Sequence, residues 1–403
     1  MKKSTMLIAA VLGQALAVPL AASPLPAVDS PETLRLRHAM ARLRSGESLC
    51  IAAVGGSITT GFAANPPEEN GWAAQTAEWF EDRARDYGGS VQFVNAGLSG
   101  TDSAWATVRL QEQVLDHWPD LVFVEFAIND QWLSPAVRGR SYEGVLRQLL
   151  DDSERALVLV AINEKAAPQK SQRREQEAIG KHYDLPTLAW ADMAGPNAAW
   201  GSWFDGAETI HPNTAGHTAI ADGIRSWLDE VWASLPDDTA ALPAVDTALP
   251  APRSSDEFAR VRWLGADNAK VIENTGFTPS ADIHGEWTRR GGLAPRGWMT
   301  ADETALLRVA VEGQSVGVTI AESDQYRNAE AWIDFADGTS SRKIPLNTFV
   351  SFRSGYLGWA YVELARDMPE GEHVLNIRLK KGRATEKGRR SGITGIVLTG
   401  VPR

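Results

Sequence analysis

The chain has 403 residues, 43% hydrophobic and 23% charged, with a formal net charge of -11. That length suggests two domains, and the composition is that of an ordinary globular protein. The acidic balance argues against nucleic acid or an anionic membrane surface as a partner.

The chain begins Met1-Lys2-Lys3-Ser4-Thr5, followed by an apolar stretch from Met6 to about Ala22 that exits through Ala21, Ala22 and Ser23. A basic start, an apolar middle and a small-residue exit predict a cleaved secretory signal over residues 1–23. Gln14 and Pro19 interrupt the stretch, and it falls short of the roughly 20 apolar residues of a membrane span. The expectation is an exported protein, periplasmic or extracellular, with no stable membrane association. Cys50 is the only cysteine. No intrachain disulfide can form, and Cys50 reads as a small apolar residue of the first strand.

Strands and helices then alternate. Residues 49–54 read as a strand. Residues 71–87 read as a helix with Trp72, Thr76, Trp79 and Phe80 on one face, stopped by Gly88-Gly89. A strand at 91–95 and a helix at 102–118 follow. Residues 121–128 form an apolar run broken only by Glu125, the pattern of a strand covered on both faces. A helix at 142–152, a strand at 156–162, a helix at 172–183, a short strand at 187–190 and a helix at 214–231 complete the series. Such alternation predicts a parallel sheet with helices on both sides, occupying residues 30–235. Residues 236–257, rich in Pro, Ala, Asp, Thr and Ser, read as a linker. Residues 258–403 carry short strand-like segments separated by turn signals such as Ala336-Asp337-Gly338 and Glu370-Gly371-Glu372. They predict an antiparallel β-sandwich or jelly roll. The aromatic residues of this second part, among them Trp298, Tyr326, Trp332, Tyr356, Trp359 and Tyr361, read mainly as core. A sugar-stacking platform is the alternative. The basic run from Arg378 to Arg390 reads as a solvated hairpin.

Four short segments carry the chemistry. Gly55-Gly56-Ser57 ends the first strand. Asn95-Ala96-Gly97 ends the second, Asn129-Asp130 follows the third, and Glu208-Thr209-Ile210-His211-Pro212 precedes the last helix. Taken singly, the first reads as a strand-to-loop turn, Asn129-Asp130 as a turn or helix cap, and His211-Pro212 as a helix start. Together, in this order and each at a strand or helix end, they place a serine hydroxyl and a possible base at the sheet's carboxyl edge.

The four blocks resemble those of the SGNH (GDSL-like) hydrolase family, over roughly residues 48–235. The resemblance implies a flavodoxin-like three-layer parallel sheet, here followed by a smaller antiparallel domain. It implies Ser57 as nucleophile and His211 as general base. The implied oxyanion donors are the Ser57 and Gly97 backbone N–H groups and the Asn129 amide. Glycine at 97 suits a place where a side chain would crowd the ester. Three residues depart from the family pattern. Gly56 stands where aspartate is commoner, Ala127 where glycine is, and Glu208 at the third triad position where aspartate is. Asp205 is a rival orienting acid, and a backbone carbonyl could also hold the imidazole. His217 reads as structural. His211 and His217 are six residues apart, which does not put two ligands on one helical face, so neither a metal nor another cofactor is expected. Asp130 reads as a loop-fixing acceptor, and Trp200 and Trp203 as rings able to stack on sugar.

The expected function is an exported serine esterase that removes O-acyl groups, O-acetyl foremost, from a polysaccharide or oligosaccharide through an acyl-serine. The same residues would serve an acyltransferase. A carbohydrate-binding protein with a relict site is the non-catalytic alternative. A lipase would require a large apolar loop surface.

Overall fold

The computed structural model describes residues 25–165, 171–280, 296–323, 326–348, 357–380 and 391–401. The expected signal segment, Tyr356 and most of the basic run lie outside them. No helix among the described residues is long and apolar enough to cross a membrane.

The first domain runs α1 (Leu34–Arg44), β1 (Leu49–Gly55), α2 (Pro67–Asn70), α3 (Trp72–Tyr87), β2 (Val91–Gly97), α4 (Ser103–Gln113), β3 (Leu121–Glu125), α5 (Pro135–Leu150), β4 (Ala156–Ala161), α6 (Arg173–His182), β5 (Thr187–Ala189), α7 (Trp190–Ala194) and α8 (Thr214–Ala233). The strands lie in the order β2-β1-β3-β4-β5, all parallel. This is the flavodoxin-like order expected of the family resemblance, and its switch point lies between β1 and β3.

Alternation along the strands divides the core. Ile51, Ala53, Leu121, Phe123 and Val158 pack with α1, α3 and α8 on one face. Ala52, Val54, Val122, Val124 and Leu157 pack with α4 and α5 on the other. Successive side chains of a strand point to opposite faces, so near-continuous apolar strands are what a sheet covered on both sides requires. Three boundaries differ from the sequence expectation. Strand β3 ends at Glu125, after which the chain turns into a short 3-10 segment, Asn129–Trp132. The helix expected at 102–118 breaks at Val114 and passes through a 3-10 turn, Leu115–His117. Helix α5 begins at Pro135, which suits a first helical turn because its N–H would be unpaired there anyway. Helix α1 was not anticipated.

The second domain contains β6 (Val261–Leu264), β7 (Lys270–Thr275), β8 (Thr278–Ser280), β9 (Gly297–Thr300), β10 (Leu306–Val311), β11 (Ser315–Ser323), β12 (Ala329–Asp334), β13 (Ile344–Leu346), β14 (Leu357–Ala365), β15 (His373–Leu379) and β16 (Ser391–Thr399). They form two antiparallel sheets, β13-β12-β15-β10-β7 and β14-β11-β16-β9-β8, with β6 added beside β16. Leu307, Val309, Val318, Ile320, Ala331, Ile333, Leu375 and Ile396 meet between them. The expected antiparallel sandwich is present.

The segment between the domains is strapped down. It is poor in usable N–H groups but rich in carbonyls, and basic side chains of the first domain take those carbonyls. His38 contacts Pro243 O at 2.7 Å, Arg147 donates to Pro250 O at 2.9 Å, and His182 contacts Ala251 O at 2.8 Å. Glu143 on α5 then accepts backbone N–H bonds from Arg253, Ser254 and Ser255. One turn away, Arg140 is sandwiched between Glu257 and Glu363, all three largely withdrawn from water. Removing one partner of a buried pair leaves the others uncompensated, at a cost of about 3–5 kcal/mol. Arg140→Ala should lower unfolding stability by about that amount, read from urea denaturation. A change no larger than that of an exposed arginine would show that the contact is hydrated.

Candidate active site

Gly55, Gly97 and Glu125 end three adjacent strands in register, Gly55 opposite both Gly97 and Glu125. The sheet therefore delivers the serine turn, the glycine turn and the asparagine turn to one edge. Ser57 follows β1 in a tight turn held by its own carbonyl, which accepts the Phe62 N–H at 3.1 Å and the Thr60 hydroxyl at 2.7 Å. Its Oγ lies 2.9 Å from Nε2 of His211. With the His211 proton on Nδ1, Nε2 is left to accept the Ser57 hydroxyl proton.

Nδ1 faces Glu208 Oε2 at 3.6 Å, a charge contact longer than a hydrogen bond. The other carboxylate oxygen, Oε1, accepts the backbone N–H groups of Thr209 and Ile210 at 2.8 Å each and of His211 at 3.3 Å. Burial alone would raise the Glu208 carboxyl. The three N–H bonds and the facing imidazole outweigh it and hold the group below the usual carboxylate range. Burial pushes His211 below its ordinary value, with Glu208 opposing the shift. Asp205, the rival acid, is engaged elsewhere. Its Oδ1 accepts the Asn213 amide at 2.8 Å, and Asn213 in turn caps α8 through Gly216 N–H at 3.1 Å. Of the two acids, Glu208 is the one placed at Nδ1.

The departure at Gly56 and the glycine at 97 both have physical causes. A Cβ on Gly56 would lie 2.4 Å from Asn129 Oδ1 and 2.9 Å from Asn129 Nδ2. Asn129 thus rests directly on the peptide before Ser57, and any side chain at 56 would displace it. A Cβ on Gly97 would lie 2.6 Å from Thr60 N and 2.8 Å from Thr59 C. Glycine at 97 therefore admits the backbone of the serine turn. That corrects the expectation that it spares room for the ester. The Gly97 N–H donates to Asn95 Oδ1 at 2.9 Å, and Asn95 is anchored on Thr59 O at 3.0 Å. Asp130 is buried and accepts Ser103 N–H at 2.8 Å and the Gln176 amide at 3.0 Å, which fixes Asn129 next to it. Burial and the neighbouring Asp102 charge push its carboxyl up.

Several residues at this edge were not singled out from the sequence. The Phe62 ring lies 4.6 Å from the His211 ring and is 52% exposed. Its carbonyl contacts His217 Nε2 at 3.1 Å, while Trp72 N–H donates to His217 Nδ1 at 3.2 Å. His217 is therefore neutral with its proton on Nε2, and burial lowers it to about 4. The exposed Trp132 ends the 3-10 turn that begins at Asn129. Arg109, fully buried, donates to Gly55 O and Ala96 O and so ties β1 to β2 behind the site. Glu125 lies under the serine turn, 3.4 Å from the Thr59 hydroxyl, and burial pushes it up to about 8. Trp200 and Trp203 take a different place from the one expected. Both are half-buried against Trp190, at 4.8 and 5.4 Å between ring centroids, and they brace the His211 loop from behind. The freely exposed rings at this edge are Phe62 and Trp132. Among the described residues, no group of three or more His, Cys, Asp or Glu could hold a metal ion.

Residues 53–219 match the model of the GDSL-like Lipase/Acylhydrolase family. The resemblance carried by the four blocks is thereby borne out over the parallel-sheet domain. A crystal structure of a two-domain esterase active on acetylated mannans, co-crystallised with mannopentaose, superposes with a TM-score of 0.76 at 20% identity, covering 93% of this chain and 97% of that one. A second crystal structure of a two-domain esterase active on acetylated mannans gives 0.76 at 22% identity, covering 92% and 96%. At these identities the likeness shows the fold, both domains included. No curated protein matches the chain.

The Gly56–Asn129 contact generates a test. Gly56→Ala forces the amide aside or the turn apart, an overpacking that costs about 1–3 kcal/mol. Thermal unfolding should register the loss, and a crystal structure of the variant should show Asn129 rotated away from Ser57. An unmoved Asn129 would mean that the serine turn yields first.

Proposed function

We propose that the protein is an exported serine esterase that removes O-acyl groups, O-acetyl foremost, from a polysaccharide or oligosaccharide. The observation that carries the reading is the 2.9 Å contact between Ser57 Oγ and His211 Nε2, at the edge where three strands converge. In this mechanism Ser57 Oγ attacks the acyl carbon while His211 Nε2 takes its proton, and Glu208 faces the imidazolium that forms. The Ser57 and Gly97 N–H groups and the Asn129 amide meet the oxyanion, with Asn95 releasing or sharing the Gly97 N–H. His211 returns its proton to the departing sugar hydroxyl. Water then attacks the acyl-Ser57 with His211 again as base.

Export is read from residues 1–23. A sugar substrate draws support from two sources. Phe62 and Trp132 present open aromatic faces beside His211 and Asn129, suited to stacking on pyranose rings. The two-domain esterase of the same overall fold is active on acetylated mannans.

Hydrolysis of para-nitrophenyl acetate, and acetate release from acetylated mannan and acetylated xylan, test the reading. Ser57→Ala should lose on the order of a millionfold in kcat. Wild-type turnover that survives in Ser57→Ala would end the assignment. Turnover of the small ester alone would retain the chemistry and remove the glycan.

The acid limb of kcat/KM follows His211. Because the neutral imidazole is the base, activity falls as pH drops through its pKa, and that midpoint should lie below the ordinary 6.5. Glu208→Ala removes the group that opposes the shift, so the limb should move to still lower pH. Its kcat should fall about 10- to 100-fold, well short of the ~10⁴ typical of a buried hydrogen-bonded triad aspartate, since the present contact is long and half-exposed. A Glu208→Ala enzyme with unchanged kcat and pH profile would leave His211 oriented by something other than the carboxylate.

A further inference from the structure

We infer that the second domain positions the oxyanion-forming turns of the first, with Trp359 as the positioning residue. The inference rests on the reading of Gly97 and Asn129 as oxyanion donors. Each of these residues is followed closely by one rooted in the core between the domains. Leu98, directly after Gly97, and Leu133, four residues after Asn129, are both buried in a cluster with Trp105 of the first domain and Phe258, Trp359 and Tyr361 of the second. Trp105 meets Trp359 at 5.5 Å and Trp263 at 5.6 Å between ring centroids. A Cβ placed on Gly100, in the turn after Gly97, would lie 3.7 Å from Trp359 Cδ1. Trp359 therefore touches both the start of α4 and the turn that leads into it.

Helix α4 carries the constraint inward. Trp105 and Arg109 are four residues apart, so they share one helical face. Trp105 fits into the second domain, and Arg109 holds Gly55 O and Ala96 O, the peptides just before the serine and glycine turns. The first N–H of the helix, on Ser103, is held by Asp130 beside Asn129. A tilt of α4 would move all three turns together. Displacing reacting groups by about 1 Å can cost on the order of a hundredfold in rate, and Trp359 is too buried to contact a polymer chain.

The test uses the full chain with Trp359→Ala and Trp359→Phe. Trp359→Leu stands in if the alanine variant does not fold. Steady-state kinetics on para-nitrophenyl acetate, a substrate that carries no glycan, are paired with amide hydrogen exchange over residues 97–104 and 129–134. For Trp359→Ala, kcat should fall about 10- to 100-fold with KM within about threefold. Exchange should rise in both segments, and Trp359→Phe should recover most of both losses. Full kcat on the small ester with unchanged exchange would overturn the inference, whatever happens to activity on polymer. If the wild type hydrolyses no ester, the proposed function fails. The exchange measurement then decides the present inference by itself, with faster exchange in both segments supporting it and no change refuting it.

Discussion

The active edge depends on backbone approaching backbone more closely than a Cβ permits. Gly55 faces the Thr59 hydroxyl and Glu125 O, Gly56 faces the Asn129 amide, and Gly97 faces the Thr59–Thr60 peptide. Three strand ends are thereby compressed into one small volume. On the proposed reading, preorganised donors would need that compression, because an oxyanion must meet several N–H groups at once. Glycine loses more conformational entropy on folding than other residues, so such a cluster must be held from outside. Arg109 supplies part of that hold, since a buried guanidinium can bridge carbonyls at the ends of two strands and both strand ends gain satisfied acceptors.

The frame extends beyond the first domain. Helix α5 binds the interdomain strap through Glu143 and the second domain through Arg140, while α4 meets the same domain through Trp105. A Cβ on Gly144 would lie 2.3 Å from Phe258 Cβ, so α5 lies against the start of the sandwich with no room for a side chain between them. The tryptophans and tyrosines of the second domain divide accordingly. Trp298 packs within the sandwich, whereas Tyr326, Trp359 and Tyr361 pack against the first domain. Trp332 stands partly open, flanked by Lys343 and Arg378. Three of the aromatics that composition offered to a glycan, Tyr326, Trp359 and Tyr361, instead join the two halves.

The alternating strands and helices were legible because they rest on local signals, whereas the order of the sheet and the roles expected of Ser57, Gly97, Asn129 and His211 came from the family resemblance that the four blocks carry. Apolar runs mark buried strands, and small or amide residues mark the turns at their ends. What escaped depends on the path of a loop. Asp205 and Glu208 are both acids in one turn, and only the course of that turn decides that Asn213 takes the first and His211 the second. Trp200 and Trp203 were read as rings able to stack on sugar, but the buried Trp190 of α7 supplies an apolar wall that no local pattern announces. Helix α1 was hidden by its arginines, which alternate with the buried stripe of Leu36, Met40 and Leu43. Phe62 had no signal except its distance from Ser57, and its place against His211 is set by His217 from a helix far along the chain.

On the proposed reading, Glu208 would orient His211 across a long contact. Glu208 and His211 belong to one turn, and Glu208 Oε1 collects the N–H groups of the residues between them and of His211 itself. The carboxylate is therefore fixed relative to the imidazole by its own backbone. A triad aspartate drawn from a separate element would have to be placed by tertiary packing instead. The three N–H bonds keep Glu208 ionised, at the cost of spreading its charge toward the backbone and away from Nδ1. An exposed carboxylate 3.6 Å away also acts through partly screened water, so its pull on the imidazolium is weaker than that of a buried partner. Burial of His211 works in the opposite direction and keeps the base neutral to lower pH. On the proposed reading His211 is thus a single base, desolvated by burial and assisted only through a long contact, with the Phe62 ring lying against it.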